Sequence, residues 1–308
     1  MSAAFATNGV VRLAHWGLMR ARGADAASFL HGQFTSDVLH LGAERAVLAG
    51  YCSAKGRLQA SFVVWRAAAD ELLLACAADL LAPTLKRLSM FVLRAQCKLG
   101  DASAELPLYG LAGEAAAARL GDAPVWSRRD TPEGTLIRLP DAAGVPRALL
   151  AAADAPAGLP ALALETWRWL EVGSGVPLIE VATVEQFVPQ MVNLELVGGV
   201  DFRKGCYPGQ EVVARSQYRG TLKRRMFLFD VAAPAQAGQE IFHSGDPGQP
   251  AGLVANAAPA PQGGSRLLAE VKLAALAGGS LHLGAPDGPL LQRQALPYDV
   301  PLESAATA

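Results

Sequence analysis

Paired cysteines are missing from this chain. Its 308 residues carry four, Cys52, Cys76, Cys97 and Cys206. No two stand in a C-x-x-C spacing, so neither a zinc site nor a cluster site closed within one segment is written here. So few cysteines in so long a chain also exclude a disulfide-stapled secreted scaffold. An excess of charge is missing too. With 27 basic and 28 acidic side chains the net charge is -1, so nothing draws the whole chain toward nucleic acid or an anionic membrane, and any such binding needs a local patch. H-E-x-x-H, a Walker loop and G-x-G-x-x-G opening a helix are all absent; Gly173-Ser174-Gly175 lacks the preceding strand and the third glycine. Residues 1–11 show no basic start followed by an apolar core. The most apolar long stretch, 148–164, is interrupted by Asp154, Pro156 and Pro160 and does not read as a membrane span. These absences predict a soluble, cytoplasmic protein with no membrane partner and no resident metal site.

What is present is a large apolar fraction, 51%, enough for two or three lobes each with a core. Residues 10–13 read as a short strand and 25–30 as a helix stopped at Gly32, with Thr35 or Ser36 capping a second short helix. Residues 46–52, 58–65 and 71–75 run apolar or alternate like strands, with Lys55-Gly56 at a hairpin turn. Residues 80–90 have helical spacing, and 91–99 return to strand character. This order predicts an α+β class with antiparallel pairing. The segment 101–164 is rich in Ala, Pro and Gly, and it is followed by a patterned helix over 164–172. From about residue 226 short strands alternate with Gly/Pro turns, the pattern of a small β-barrel. The expected division is therefore 1–230, with 101–164 as its variable middle part, then a barrel over 231–301 and a tail over 302–308.

One segment concentrates chemistry. Arg203-Lys204-Gly205-Cys206-Tyr207-Pro208-Gly209-Gln210-Glu211 sets a single cysteine in a Gly/Pro loop, after two cations and ahead of a helical stretch. Cations and a helix N-terminus both favour a thiolate, so Cys206 is the candidate working residue, with Lys204 lowering its pKa. The alternative is an inert cysteine in a structural turn. The His31-Gly32-Gln33 turn with Thr35, Ser36 and Asp37 offers polar groups to a ligand, or merely caps a helix. A Cys206–His31 dyad is conceivable, but no local signature supports it. Arg219, Lys223, Arg224 and Arg225 form a basic run that suits RNA phosphates or a solvated face. Trp167 and Trp169 face different sides of their helix, one toward a core and one free to line a pocket for a flat ring. Glu165, Arg168 and Glu171 supply that helix's polar side.

The stretch from Lys204 to Glu211, with Ala214-Arg215, resembles the K-G-C-[FY]-x-G-Q-E…A-R signature of the YgfZ-type folate-binding proteins, bacterial relatives of a mitochondrial iron–sulfur assembly factor. Residues 29–37 resemble that family's F-L-x-G-Q-x-T-x-D segment. Lys55-Gly56-Arg57, the residues 168–177, Phe187 to Gln190 with Asn193, Lys223-Arg224 and the Leu296-Pro297-Tyr298 ending also fit it. The likeness is weakest over 100–160. It implies an aminomethyltransferase (T-protein)-like folate-binding fold with a C-terminal barrel, and tetrahydrofolate as cofactor. It also implies a role in assembling or repairing iron–sulfur clusters, including those of radical enzymes that modify tRNA, with iron–sulfur enzymes or assembly proteins as partners and direct tRNA binding as a further option. Carried onto this chain, Cys206 and Lys204 are the reactive pair. Gln33, Thr35, Asp37, Trp167, Arg168, Gln190, Asn193, Gln210, Glu211 and Arg215 are the expected folate-site residues. The alternative activity, folate-dependent aminomethyl transfer, uses a hairpin aspartate in that fold, but Lys55 to Ala60 carries no carboxylate. A neutral Gln59 cannot take a proton or hold a developing cation, so the resemblance implies an accessory protein rather than a classical enzyme.

Overall fold

The structure is a computed structural model that describes residues 6–218 and 222–301; the expected tail at 302–308 lies outside them. Strands β1 (Gly9–Arg12) and β2 (Trp16–Arg22) lead to helix α1 (Ala26–His31). The strands β3 (Ala46–Cys52), β4 (Leu58–Ala68) and β5 (Glu71–Ala77) are followed by α2 (Ala78–Ser89) and β6 (Lys98–Asp101). Next come β7 (Leu108–Ala112), α3 (Glu114–Leu120), β8 (Arg128–Thr131), β9 (Gly134–Ala142), β10 (Val145–Ala151) and α4 (Leu164–Gly173). An irregular stretch then reaches α5 (Gln210–Tyr218). The chain finishes with β11 (Arg224–Val231), β12 (Glu240–His243), β13 (Asp246–Pro259), β14 (Ser265–Lys272), β15 (Leu281–Leu283) and β16 (Leu291–Gln294).

Three antiparallel sheets result. The first runs β3-β4-β5-β2-β6 and the second β1-β7-β10-β9-β8. The third runs β15-β12-β13-β14-β11-β16, curled so that a bridge between His282 and Leu290 joins its two ends. Its strands begin at Arg224, because β11 pairs along its whole length with β14.

The middle of β4 and most of β5 read as near-continuous apolar runs because both of their faces are covered, as are those of β2 over 17–19. Leu18, Val63, Trp65, Leu73 and Ala75 enter a core shared with Ile137, Leu139 and Leu149 of the second sheet. The alternate positions Met19, Phe62, Val64, Leu72, Leu74 and Cys76 enter another core, shared with Met226, Leu228 and Leu268 of the third sheet. The first sheet is therefore the middle layer. Helix α4 lies where the parts converge and packs on β1, β9, β13 and β14.

Three local expectations fail. No second helix follows Gly32: Phe34 bridges to Tyr51, and the Thr35 amide donates to Gly50 O at 2.9 Å. Thr35 and Ser36 are buried and tie down backbone instead of capping a helix. Residues 91–97 form turns rather than a strand, with Leu93 at a left-handed φ of 41°, and pairing is confined to β6. The strand β2 was not anticipated.

Candidate functional site

Cys206 is exposed on a loop pinned at several points. Lys204 beside it is buried and donates all three ammonium hydrogens to carbonyls: His31 O at 2.6 Å, Phe34 O at 2.9 Å and Gly205 O at 3.2 Å. Its ammonium also lies 4.8 Å from the centre of the Tyr207 ring. Burial draws Lys204 down to about 8, against the opposing pull of Asp37, Asp201 and Cys206, so at neutral pH it keeps its charge and its three bonds. Thr35 Oγ1 donates to Gly199 O and accepts from the Gly50 amide, and the Asp201 amide donates to Thr35 O at 2.9 Å. The loop is thus hung on the turn after α1.

The same turn carries a His–Asp cluster. Asp37 Oδ1 lies 3.1 Å from His31 Nδ1, and Asp37 Oδ2 lies 2.8 Å from His40 Nδ1. The Nε2 atom of His31 would lie 3.6 Å from a Cβ built on Gly205. The partly buried His31 is held below its ordinary pKa by burial and by Lys204.

On the far side of Cys206 the motif packs against the hairpin after β3. Gly209 (φ +78°) is so close to that turn that a Cβ would fall 2.4 Å from Ser53 O and 2.6 Å from Gly56 Cα. Gly56 (φ +72°) in turn meets Val212. The Lys55-Gly56-Arg57 and Gly209-Gln210-Glu211 motifs are therefore one interlocked unit. Behind it, Gln190 is buried and donates to Val213 O at 2.8 Å. Buried Asn193, at a left-handed φ of 56°, donates to Met226 O at 2.8 Å. Arg225 donates to Gln190 O at 3.0 Å and pairs with Glu195 in a buried ion pair. Glu195 sits above its usual range through burial, only partly offset by Arg225.

A second site lies between the first two sheets. Helix α4 aims Glu171 into a chamber lined by Trp16, Phe62, Trp126, Arg147, Ser174 and Leu178, which continues past His15, Arg168, Glu180 and Asn256. Glu171 Oε1 accepts from Trp16 Nε1 at 2.7 Å and from Trp167 Nε1 at 3.0 Å, and Oε2 lies 2.7 Å from His15 Nε2. Burial alone would raise the pKa of Glu171, but His15, Arg147 and the Trp167 N–H outweigh it and hold the carboxyl below its ordinary value. Arg147 is 2% exposed and gives Nε and Nη2 to Pro140 O. Its buried Nη1 has no partner, and burial draws its pKa down to about 10. A buried donor left unpaired is costly and invites an acceptor.

The two sites divide the expected residues. Arg168 lines the chamber, 3.8 Å from Glu180. Trp167 is fully buried beneath it, with Gly110 against its ring and Arg147 5.2 Å from the ring centre, and it holds Glu171 in place. Gln33, Thr35, Asp37, Gln190, Asn193, Gln210, Glu211 and Arg215 are not in the chamber lining. They surround the Cys206 loop or belong to α5 and the stretch beneath it. Arg215, Glu211 and Cys206 are exposed. No sequence pattern marks His15, Trp16, Trp126 and Arg147, which come from a turn, the start of β2, a loop and β10, far apart in the chain. The one local signal was a carboxylate one helical turn beyond a tryptophan, Trp167 and Glu171. Of the basic run, Lys223 is exposed but Arg224 and Arg225 are turned inward. Arg224 pairs with Glu270 at 2.8 Å and Arg225 is 4% exposed, while Arg219 lies outside the described residues. Among the described residues no group of three or more His, Cys, Asp or Glu suits a metal ion, and no helix is long and apolar enough to cross a membrane.

Two lobes joined over a central helix and closed by a curled barrel are the architecture of glycine-cleavage aminomethyltransferase T. The enzyme from Bartonella henselae superposes with a TM-score of 0.75 over 95% of this chain and 86% of its own, at 16% identity. No family model matches the chain. Curated relatives are more specific. The tRNA-modifying protein YgfZ of Edwardsiella ictaluri is 34% identical over 237 residues, 71% of this chain and 70% of that protein. The protein of the same name from Escherichia coli K12 is 29% identical over 247 residues, 75% of each chain. The chain belongs to the YgfZ family.

Proposed function

We propose that the protein is a tetrahydrofolate-binding accessory factor for iron–sulfur cluster assembly or repair, working through the thiol of Cys206. The observation that carries this reading is the chamber. It holds a partly buried, anionic Glu171 and a fully buried Arg147 with an unused donor, an acceptor and a donor suited to the polar edge of a flat heterocycle such as a pterin. Trp16 and Trp126 supply apolar walls, and Arg168 stands where the chamber continues outward, fitted to a carboxylate tail. The free space is only about 40 Å³, well under the roughly 300 Å³ of an ordinary ligand pocket. The chamber must therefore widen before it can hold a bicyclic ring.

Cys206 is separate from this chamber and faces solvent, which suits contact with another protein. One thiolate cannot hold a four-iron cluster, which takes four ligands, so its part is transfer, shielding or transient ligation, with clusters as cargo. The hairpin at 55–60 carries no carboxylate, and Gln59 is hydrogen-bonded to Glu185 at 3.0 Å, which speaks against aminomethyl transfer. The name carried by the relatives points to tRNA modification. With Arg224 and Arg225 held in internal ion pairs, we read that link as indirect, through cluster-dependent tRNA-modifying enzymes.

Calorimetric titration with tetrahydrofolate tests the reading. Wild type and Cys206→Ala should bind alike and Glu171→Gln at least about tenfold more weakly, while only Cys206→Ala should lose support of a cluster-dependent enzyme. Absence of binding in wild type, or full support by Cys206→Ala, overturns it.

A further inference from the structure

The turn that follows α2 belongs to neither site. Met90 is 67% exposed, Phe91 46% and Leu93 87%, three large apolar side chains within four positions. The turn is not loose. The Met90 amide donates to Arg87 O at 3.2 Å, Phe91 to Leu88 O at 2.9 Å and Ala95 to Val92 O at 2.8 Å. Its base is clamped to the start of α1, where Asp25 Oδ2 accepts from the Gln96 amide at 2.7 Å. Leu93 holds a left-handed φ of 41°, a conformation that glycine or asparagine would adopt with less strain. A leucine placed there, pointing into water, is not explained by the turn's own backbone.

The charge carried by the tip's own segment is of one sign, and the acid at its base, Asp25, is engaged with the Gln96 amide. Lys86, Arg87, Arg94 and Lys98 flank it, and residues 80–100 contain no Asp or Glu. None of the four makes an ion pair among the described residues. In a chain of net charge -1, this is a local patch that overall neutrality conceals.

We infer that the 86–98 tip is a docking element for an anionic lipid surface. A projecting apolar tip enters the headgroup layer without needing a pocket of matching shape, and flanking cations are drawn to anionic headgroups. A turn that is already rigid loses little entropy on docking. This inference is independent of folate and of Cys206.

Cosedimentation of the full chain with vesicles tests it. Wild type should pellet with phosphatidylglycerol/phosphatidylcholine vesicles at about 0.05 M salt and be released at about 0.5 M, where screening is strong. It should not pellet with phosphatidylcholine alone. Phe91→Asp and Leu93→Asp should each lower the bound fraction by about tenfold, and Lys86→Glu with Arg94→Glu should abolish it. All four positions are exposed, and unchanged circular dichroism will show that the variants fold. No pelleting by wild type overturns the inference, as does equal binding by the aspartate variants. So does a dimer in gel filtration that Leu93→Asp dissolves while vesicles stay bare, since the tip would then serve a second copy of the chain.

Discussion

The Lys204 ammonium donates to the Phe34 carbonyl at 2.9 Å, joining residues 170 positions apart. The family motif's lysine is thus a tie between the Cys206 loop and the turn after α1, as well as a nearby charge. Lys204→Met leaves three carbonyls without their donor and should cost about 1–3 kcal/mol. It should also make the 198–209 loop a preferred cleavage site in limited proteolysis. A variant as stable and as resistant as wild type would show that the loop is held by its other contacts alone.

Thiol reactivity should single out one cysteine. Burial pushes Cys52 and Cys76 up to about 12, so at pH 8 only about one in ten thousand of either is thiolate. Half-buried Cys97 is raised too, by burial and by Asp25. Iodoacetamide at pH 8 should label exposed Cys206 first, and Cys206→Ala should remove the fast phase with stability changed by less than about 0.5 kcal/mol. A fast phase that survives this substitution would place the reactive thiol elsewhere.

The Gly56–Gly209 interlock predicts intolerance of a methyl group. Gly209→Ala sets a Cβ against Ser53 O and the Gly56 backbone at a positive φ, and should cost at least about 1–3 kcal/mol. Urea midpoints measure it. The same change at Gly42, where nothing lies within 4 Å, should be nearly silent.

Glu171 gives a pH signature. Its folded pKa lies below the ordinary 4.5, so the stability it contributes is complete above 4.5 and is lost as pH falls through the lower folded value. Glu171→Gln should therefore be less stable than wild type at pH 7, with the gap narrowing as pH falls below 4.5. Glu195 and Glu270, raised by burial, titrate alike in both proteins and cancel in the difference. Glu180, raised by burial and in part by the Glu171 charge, is eased by the substitution, which itself narrows the gap at pH 7. A gap that stays constant with pH would mean that the Glu171 charge is not its source.

The parts that sequence made legible are those with a local cause. Alternation and apolar runs mark β3 to β5, Trp167 and Leu170 mark α4, and the glycine and proline around Cys206 mark a loop opening a helix. The 91–97 segment misled because Phe91 and Leu93 carry strand-like composition yet face water. Thr35 and Ser36 look like caps, but their hydroxyls go to Gly199 and Leu48 across the fold. The chamber was out of reach because Glu171 becomes a site only when His15, Trp16 and Arg147 arrive from three other segments. No pattern in one stretch records that meeting.

The placement of β1 bears on how the chain is made. Residues 9–12 leave the ribosome well before their partners: they pair with β7, about a hundred residues later, and Val10 exchanges bonds with Pro160 and Leu162 at 2.9 Å. β2, immediately after, seats in the other sheet. The strands of the first sheet are all present by Asp101, but the second cannot take in β1 until β7 and roughly residue 162 have been synthesised, so its closure is the step of high contact order and the slow one. A cut between the two sheets would leave the second without its edge strand β1, and the first with β1 as a segment that has no partner strand.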